Sequence, residues 1–258
     1  MRIPAEAASL LDDIVTNIPG ILGRNLVGIY LYGSITNSSF NPNRSDIDCI
    51  VVIKRRIGEA QFRRLGAWLD GMTRSNRWAS RLQISFLVKA RLLASSDPSN
   101  TTSDSCLYQF GILQRCGSDG NPIIWLDHLR RGKVLFGPPA QSFLREISEE
   151  MLTAALKREL EYLREELENP ASKWRDVPMY RAYATLTICR ILYTQAKGTV
   201  VSKPMATRWF MKTFPDCSTE ILEQALSYNE TGRDVQISLR SLRRFLEFAR
   251  NEVNERPR

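Results

Sequence analysis

The sequence predicts an α+β fold in two parts: a mixed sheet with helices over residues 1–148, then an all-α helical bundle over residues 149–258. Three observations carry this expectation. In the first half, short apolar runs rich in β-branched residues alternate with segments of helical spacing. The last of those runs is stopped by Gly137-Pro138-Pro139. From Glu146 onward the apolar residues fall mainly at helical intervals, and no internal repeat is apparent.

Taken in order, residues 9–17 read as a helix and "LVGIYLY" (26–32) as a buried strand. "IDCIVVI" (47–53) is a second strand of the same kind. "EAQFRRLGAWLD" (59–70) sets Phe62, Leu65 and Leu69 on one helical stripe. "RLQISFLVKARL" (81–92) alternates, with Leu82, Ile84, Phe86 and Val88 on one face and Gln83, Ser85 and Leu87 on the other. The polar stretch 94–105 reads as a loop and the most mobile segment, and "GKVLFGPP" (132–139) as the last strand. Beyond it, Leu152, Leu156, Leu160, Leu163 and Leu167 mark one helix and residues 179–196 another. A third is opened by Ser202 and Pro204, a fourth covers 219–228, and the last carries Leu239, Leu242, Leu246 and Ala249.

A chain of 258 residues, 43% hydrophobic and 25% charged, can bury a substantial core, and disorder is not expected. No apolar run is long enough to cross a bilayer, and the acidic N-terminal segment lacks the apolar core of a signal peptide, so a cytoplasmic location is expected. Five cysteines, odd in number and without a C-x-x-C pair, argue against a disulfide framework or a zinc site. The net charge of +8 is spread in pieces such as Lys54-Arg55-Arg56 and Arg243-Arg244, with no stacking or helix-turn-helix signature, so a nucleic-acid partner is not expected. The single histidine, His128, reads as a surface or capping residue of a helix.

The chemistry concentrates in "YLYGSITNSSFNPNRSDIDCIVV" (30–52). A strand ends at Gly33-Ser34, a polar Asn-rich spacer follows, and Asp46 and Asp48 open the next strand. Strand alternation puts both carboxylates on one side, where they repel unless a cation lies between them. Hard oxygen ligands at that spacing suit magnesium, which takes a couple of carboxylates and completes its shell with substrate phosphates. Gly33 permits a tight turn whose backbone can approach a phosphate, and Ser34 can donate to the same group. An Asp-x-Asp alone can merely cap a loop; with a Gly-Ser turn between two apolar runs, it points to a metal-assisted nucleotide site.

This stretch resembles the nucleotidyltransferase motif of the DNA polymerase β superfamily, and the chain as a whole resembles the streptomycin/spectinomycin (aminoglycoside) adenylyltransferases. "YQFGILQR" (108–115), "VLFGPP" (134–139), "LTICRILYTQAKGTVVSKPMATRWF" (186–210) and "ALSY" (225–228) follow in that family's order. The resemblance implies a polymerase-β-like N-terminal domain and a helical C-terminal domain that closes on nucleotide and substrate. It implies that Ser34, Ser45, Asp46 and Asp48 hold ATP and two magnesium ions. It gives nucleotide contacts to Arg190, Lys203 and Tyr228. The partners it implies are ATP and a small cationic acceptor, in a monomer.

Three positions depart from the family's pattern. The general-base carboxylate on the third strand is replaced by Gln83, whose amide cannot take the acceptor's proton. Leu113 stands where streptomycin-binding members have a tryptophan, and Tyr180 where they have an acid. Trp174 and Asp176, just upstream, are the remaining candidates for acceptor contact, and the glutamates between Glu146 and Glu168 read first as the solvated face of a helix. Two other readings stay open: a nucleotide-binding regulator without transfer activity, which Gln83 favours, and a tRNA-type nucleotidyltransferase, which the charge favours.

Overall fold

The computed structural model describes residues 3–36, 39–90, 104–115, 122–144, 146–217, 219–233 and 235–255. Residues 94–103 of the expected loop lie outside them. The chain divides into two compact units, Met1–Glu146 and Ile147–Arg258.

Six strands of the first unit make one mixed sheet: β1 (Leu26–Tyr32), β2 (Ile47–Ile53), β3 (Leu82–Val88), β4 (Cys106–Gln109), β5 (Ile112–Gln114) and β6 (Lys133–Phe136). Their order is β5-β4-β3-β2-β1-β6. β2 and β3 run parallel, joined through helix α2 (Glu59–Ser75), while the other pairs are antiparallel. Helix α1 (Ala5–Leu22) extends the expected 9–17 segment at both ends because Ala7, Ile18 and Leu22 continue its buried stripe.

One face of the sheet, with Leu31, Cys49, Val51, Ile84, Phe86, Cys106 and Tyr108, forms the core with Leu10, Ile14 and Ile18 of α1 and Leu65 and Leu69 of α2. Phe62 packs against that core only in part. The opposite face is covered too: Ser85 and Leu87 are buried and Gln83 is half-buried. At β1 this face is covered by helix α3 (Pro122–Arg131), which sets His128 edge-on against Tyr30 at 5.1 Å between ring centroids. A strand covered on both sides reads as a continuous apolar run.

β4 and β5 form a hairpin whose turn places Phe110 (φ 53°) and Gly111 (φ 79°) in the left-handed region, as a two-residue I′-type connection requires. Phe110 meets that requirement without glycine's freedom and stands 72% exposed.

The second unit is helical: α4 (Glu149–Glu168), α5 (Lys173–Asp176), α6 (Pro178–Lys197), α7 (Lys203–Thr213), α8 (Thr219–Thr231) and α9 (Leu239–Glu255). α6 is buried on almost every side from Ala182 to Gln195 and is packed against by each of the other five. The leucines of α4 from Leu152 to Leu167 are buried as spaced, and so are Leu242, Leu246 and Ala249 of α9. Full burial of each leucine stabilises by roughly 2 kcal/mol. Ser148 caps α4, and Ser202 caps α7 with Pro204 in its first turn. Two glutamates of α4 are tied to arginines: Glu161 and Glu168 pair with Arg164, and Glu161 also with Arg250 of α9 at 3.4 Å.

Candidate active site

Strand register sets the site. Tyr32 of β1 pairs with Asp48 of β2, and Asp48 with Gln83 of β3. Gln109 of β4 donates from Nε2 to Gln83 Oε1 at 3.1 Å, and it pairs in turn with Ile112 of β5. Paired residues project to the same side of a sheet, so Tyr32, Asp48, Gln83, Gln109 and Ile112 form one transverse row on the face away from α1 and α2. Leu113, paired with Tyr108, falls on the other face and packs against the core. The structure therefore brings Asp48 and Gln83 together and sets Leu113 apart from them.

At the end of β1 the chain turns into a 3₁₀ turn, Gly33–Thr36, closed by Thr36 Oγ1 donating to the Gly33 carbonyl at 2.8 Å. Gly33 has φ 74°, and a Cβ placed on it would lie 2.5 Å from Asp48 Oδ2. Glycine here serves two ends, the left-handed backbone and the seat for a carboxylate. Ser34 is half-buried beside it.

The spacer before β2 is a built loop. Asn41 accepts at its carbonyl from the amides of Arg44 and Ser45 (3.0 and 2.8 Å), and Ser45 Oγ accepts from the Asn41 amide at 2.9 Å. Ser45 is half-buried and Asp46 exposed, with the buried Ile47 between Asp46 and the half-buried Asp48. Arg81 holds the loop from outside, donating Nη1 to the Pro42 carbonyl at 2.7 Å and Nη2 to the Ser45 carbonyl. Burial draws the Arg81 pKa down from the usual guanidinium value, while Asp46 pushes the other way.

A site with Asp46 and Asp48 at one strand mouth fits magnesium. The seat that Gly33 leaves for Asp48 Oδ2 keeps that carboxylate beside the turn, and both donors are hard oxygens. Among the described residues, no group of three or more His, Cys, Asp or Glu could hold a metal ion, so the remaining ligands would be phosphate oxygens and water. Gln83, next to Asp48 in this row, is an amide held by another amide.

In the helical unit, Arg190 is half-buried in the middle of α6, and its carbonyl accepts from Thr194 Oγ1 at 2.7 Å. Lys203, the first residue of α7, holds Nζ 3.1 Å from the centre of the Tyr183 ring. Tyr228 is half-buried on α8. Trp174 lies among three tyrosines: stacked on Tyr180 at 5.2 Å, and edge-on to Tyr183 at 5.6 Å and Tyr162 at 5.8 Å. Burial, with Glu166 and Glu159 nearby, pushes the Tyr162 pKa up to about 12. Asp176, at the end of α5, is exposed. Gln109, Arg81, Tyr162 and Tyr183 were not marked by sequence spacing. The signal available for Gln109 was register, since a hairpin through "FG" would carry it beside Gln83.

His128 is not the surface residue expected. It is 2% exposed, among the rings of Tyr30, Tyr32 and Trp125. Its α3 backbone puts the imidazole on the sheet rather than in solvent, and burial lowers its pKa to about 4 despite Asp127.

A family model described as "Aminoglycoside adenylyltransferase, C-terminal domain" matches residues 142–253. An aminoglycoside (3'')(9) adenylyltransferase of Shigella flexneri is 24% identical, covering 97% of this chain and 96% of its own length. The second unit is thus similar to the C-terminal domain of the aminoglycoside adenylyltransferases, and the whole chain to a curated relative of that name. A spectinomycin 9-adenylyltransferase of Staphylococcus aureus (strain Mu50) is also 24% identical, over 87% of this chain and 84% of the relative. The fold is shared with a solved structure: the crystal structure of spectinomycin adenyltransferase AAD(9) from Enterococcus faecialis, with ATP and spectinomycin, superimposes with a TM-score of 0.71 at 17% identity, over 95% of this chain and 99% of that one. No helix among the described residues is long and apolar enough to cross a membrane.

Proposed function

We propose that this chain transfers AMP from Mg·ATP to a hydroxyl of a small cationic acceptor, an aminoglycoside or aminocyclitol antibiotic, as a resistance enzyme. The observation that carries the proposal is the placement of Asp46 and Asp48 at the mouth of β2, with Asp48 seated against the Gly33 turn. Asp46 and Asp48 hold two magnesium ions, and Ser34 and Ser45 orient phosphates. The metal, when bound, neutralises the triphosphate and favours in-line displacement at phosphorus. In the reaction, the acceptor hydroxyl oxygen bonds to the α-phosphorus, its proton passes to water, and the bridging oxygen leaves with pyrophosphate.

Arg190, Lys203 and Tyr228 are assigned to the nucleotide, since a guanidinium and an ammonium suit phosphates and a phenol ring suits adenine. Trp174 and Asp176 are assigned to the acceptor. Their support is an aromatic surface able to take an ammonium or a ring face, next to an exposed carboxylate.

A second reading is favoured by Gln83. With an amide at the base position, the protein binds Mg·ATP and transfers AMP slowly, or acts as a nucleotide-dependent regulator. The deciding experiment is release of pyrophosphate from Mg·ATP by this chain and its Gln83→Glu variant, against a panel including spectinomycin and streptomycin. Acceptor-dependent release by the variant supports the transferase. ATP binding without release by either protein, with any acceptor, favours the regulator.

A further inference from the structure

The polar loop that carries Ser45 and Asp46 has few apolar anchors of its own, yet it must hold a carboxylate at a fixed place for a metal. The structure shows what fixes it. The Arg81 guanidinium, at the start of β3, donates to two carbonyls of that loop, Pro42 O at 2.7 Å and Ser45 O. Its guanidinium carbon lies over the Trp78 ring, 4.4 Å from the centroid. Trp78, 4% exposed, is stacked with Phe40 at 6.1 Å, and Phe40 is itself 3% exposed at the near end of the same loop. The loop is thus held through Phe40 at one end and through Pro42 and Ser45 further on, with both holds converging on Trp78 and Arg81. The parallel register of Ile47 with Leu82 carries the next residues back, Asp46 and Arg81, alongside each other.

We infer that Arg81 is a positioning residue for the metal carboxylate: it does not touch the nucleotide, but sets where Asp46 stands by clamping the carbonyls on either side of the turn before it. The inference rests on the proposed metal role of Asp46. A lysine cannot replace this clamp, because a point-like ammonium lacks the rigid fork that reaches two carbonyls while lying flat on an indole. Groups that orient a metal's ligands typically contribute a factor of roughly 10 to 100 in metal affinity.

The test is calorimetric binding of ATP across a magnesium titration and in EDTA, for the unaltered protein and for Arg81→Lys, Arg81→Gln and Asp46→Asn, with thermal melting read on each. The expected result is that Arg81→Lys and Arg81→Gln raise the magnesium needed for half-maximal ATP binding by about 10- to 100-fold. Metal-free binding and melting should change little. An Arg81→Lys protein with an unaltered magnesium requirement, when Asp46→Asn shifts it, overturns the role of Arg81 and leaves the metal site standing. Restoration by lysine but not by glutamine also overturns it, since charge rather than the clamp would then be at work. A magnesium requirement that is absent in the unaltered protein, or unshifted in Asp46→Asn, overturns the metal site itself, and the role of Arg81 with it. Glutamine keeps an amide donor with less bulk, so misfolding of one variant leaves the other to decide.

Discussion

Gln109 donates from its side-chain amide to the side-chain oxygen of Gln83, at 3.1 Å, across neighbouring antiparallel strands. The group at the proposed base position is therefore oriented by a partner whose N–H would serve a carboxylate at least as well as an amide oxygen. Position 83 is arranged to hold an acceptor of hydrogen bonds in place, whichever side chain supplies it.

Gln83→Glu should thus restore a base in a ready seat. Acceptor-dependent pyrophosphate release should rise by roughly 10²- to 10⁴-fold, the usual value of a positioned general base. Adding Gln109→Leu should remove part of that gain while leaving ATP affinity unchanged. Steady-state kinetics with a coupled pyrophosphate assay would measure both.

Gly33→Ala is expected to fail at the metal rather than at the fold as a whole. The new methyl would lie 2.5 Å from Asp48 Oδ2, and φ 74° costs a non-glycine residue about 1–2 kcal/mol. Asp48 must move, so magnesium-dependent ATP binding should weaken by an order of magnitude or more. The melting temperature should fall by only several degrees. Calorimetry and a melting scan, read together, check this.

His128 makes stability depend on pH with a definite sign. Its pKa is about 4 in the folded protein against 6.5 for the free group. The unfolded chain therefore binds the extra proton first. Stability is whole above pH 6.5 and is lost as pH falls from there towards 4, by up to about 3 kcal/mol from this group. Denaturant melts at pH 7 and pH 5 should show the loss, and His128→Phe, which suits the same aromatic nest, should reduce it. An equal loss in that variant would remove His128 as the cause.

Lys203 and Tyr183 offer a separable test of the nucleotide assignment. The ammonium lies over the Tyr183 ring. Replacing the ring by leucine removes a contact of about 0.5–1 kcal/mol, or about two- to fivefold in the positioning of the lysine, whereas phenylalanine keeps it. ATP affinity should fall by that factor in Tyr183→Leu and hold in Tyr183→Phe. Equilibrium binding of a fluorescent ATP analogue distinguishes the two.

Much of the fold was legible because its elements follow their own periodicity. "LVGIYLY" and "IDCIVVI" are strands buried on both faces, and the leucines of α4 sit on one stripe. The Asp46, Asp48 and Gly33 set was legible because the physics is local, two carboxylates and a turn within a few residues of each other in β-strand geometry. What escaped depends on partners distant in sequence. The second cover of β1 comes from α3, some ninety residues later, so His128 looked like surface. β4 and β5 are too short for a pattern to show, and their turn uses Phe110 where Asn or Gly would have announced it. Arg81 looked like one more basic residue because carbonyl acceptors have no sequence signature.

β1 has one neighbour that forms early and one that arrives late. β2 follows within a short loop, but the other flank is filled by β6, with Ile29 facing Phe136 and the Tyr30 hydroxyl donating to the Pro138 carbonyl at 2.8 Å. At roughly 5–20 residues per second of synthesis, about a hundred residues separate the two by roughly 5–20 s. Throughout that interval the nascent chain presents an apolar strand with an unpaired backbone edge, the form most prone to pair with another copy. Yield in cells should therefore be governed by how long ribosomes dwell before Phe136 emerges, and by chaperones that shield the edge, more than by the equilibrium stability of the finished sheet.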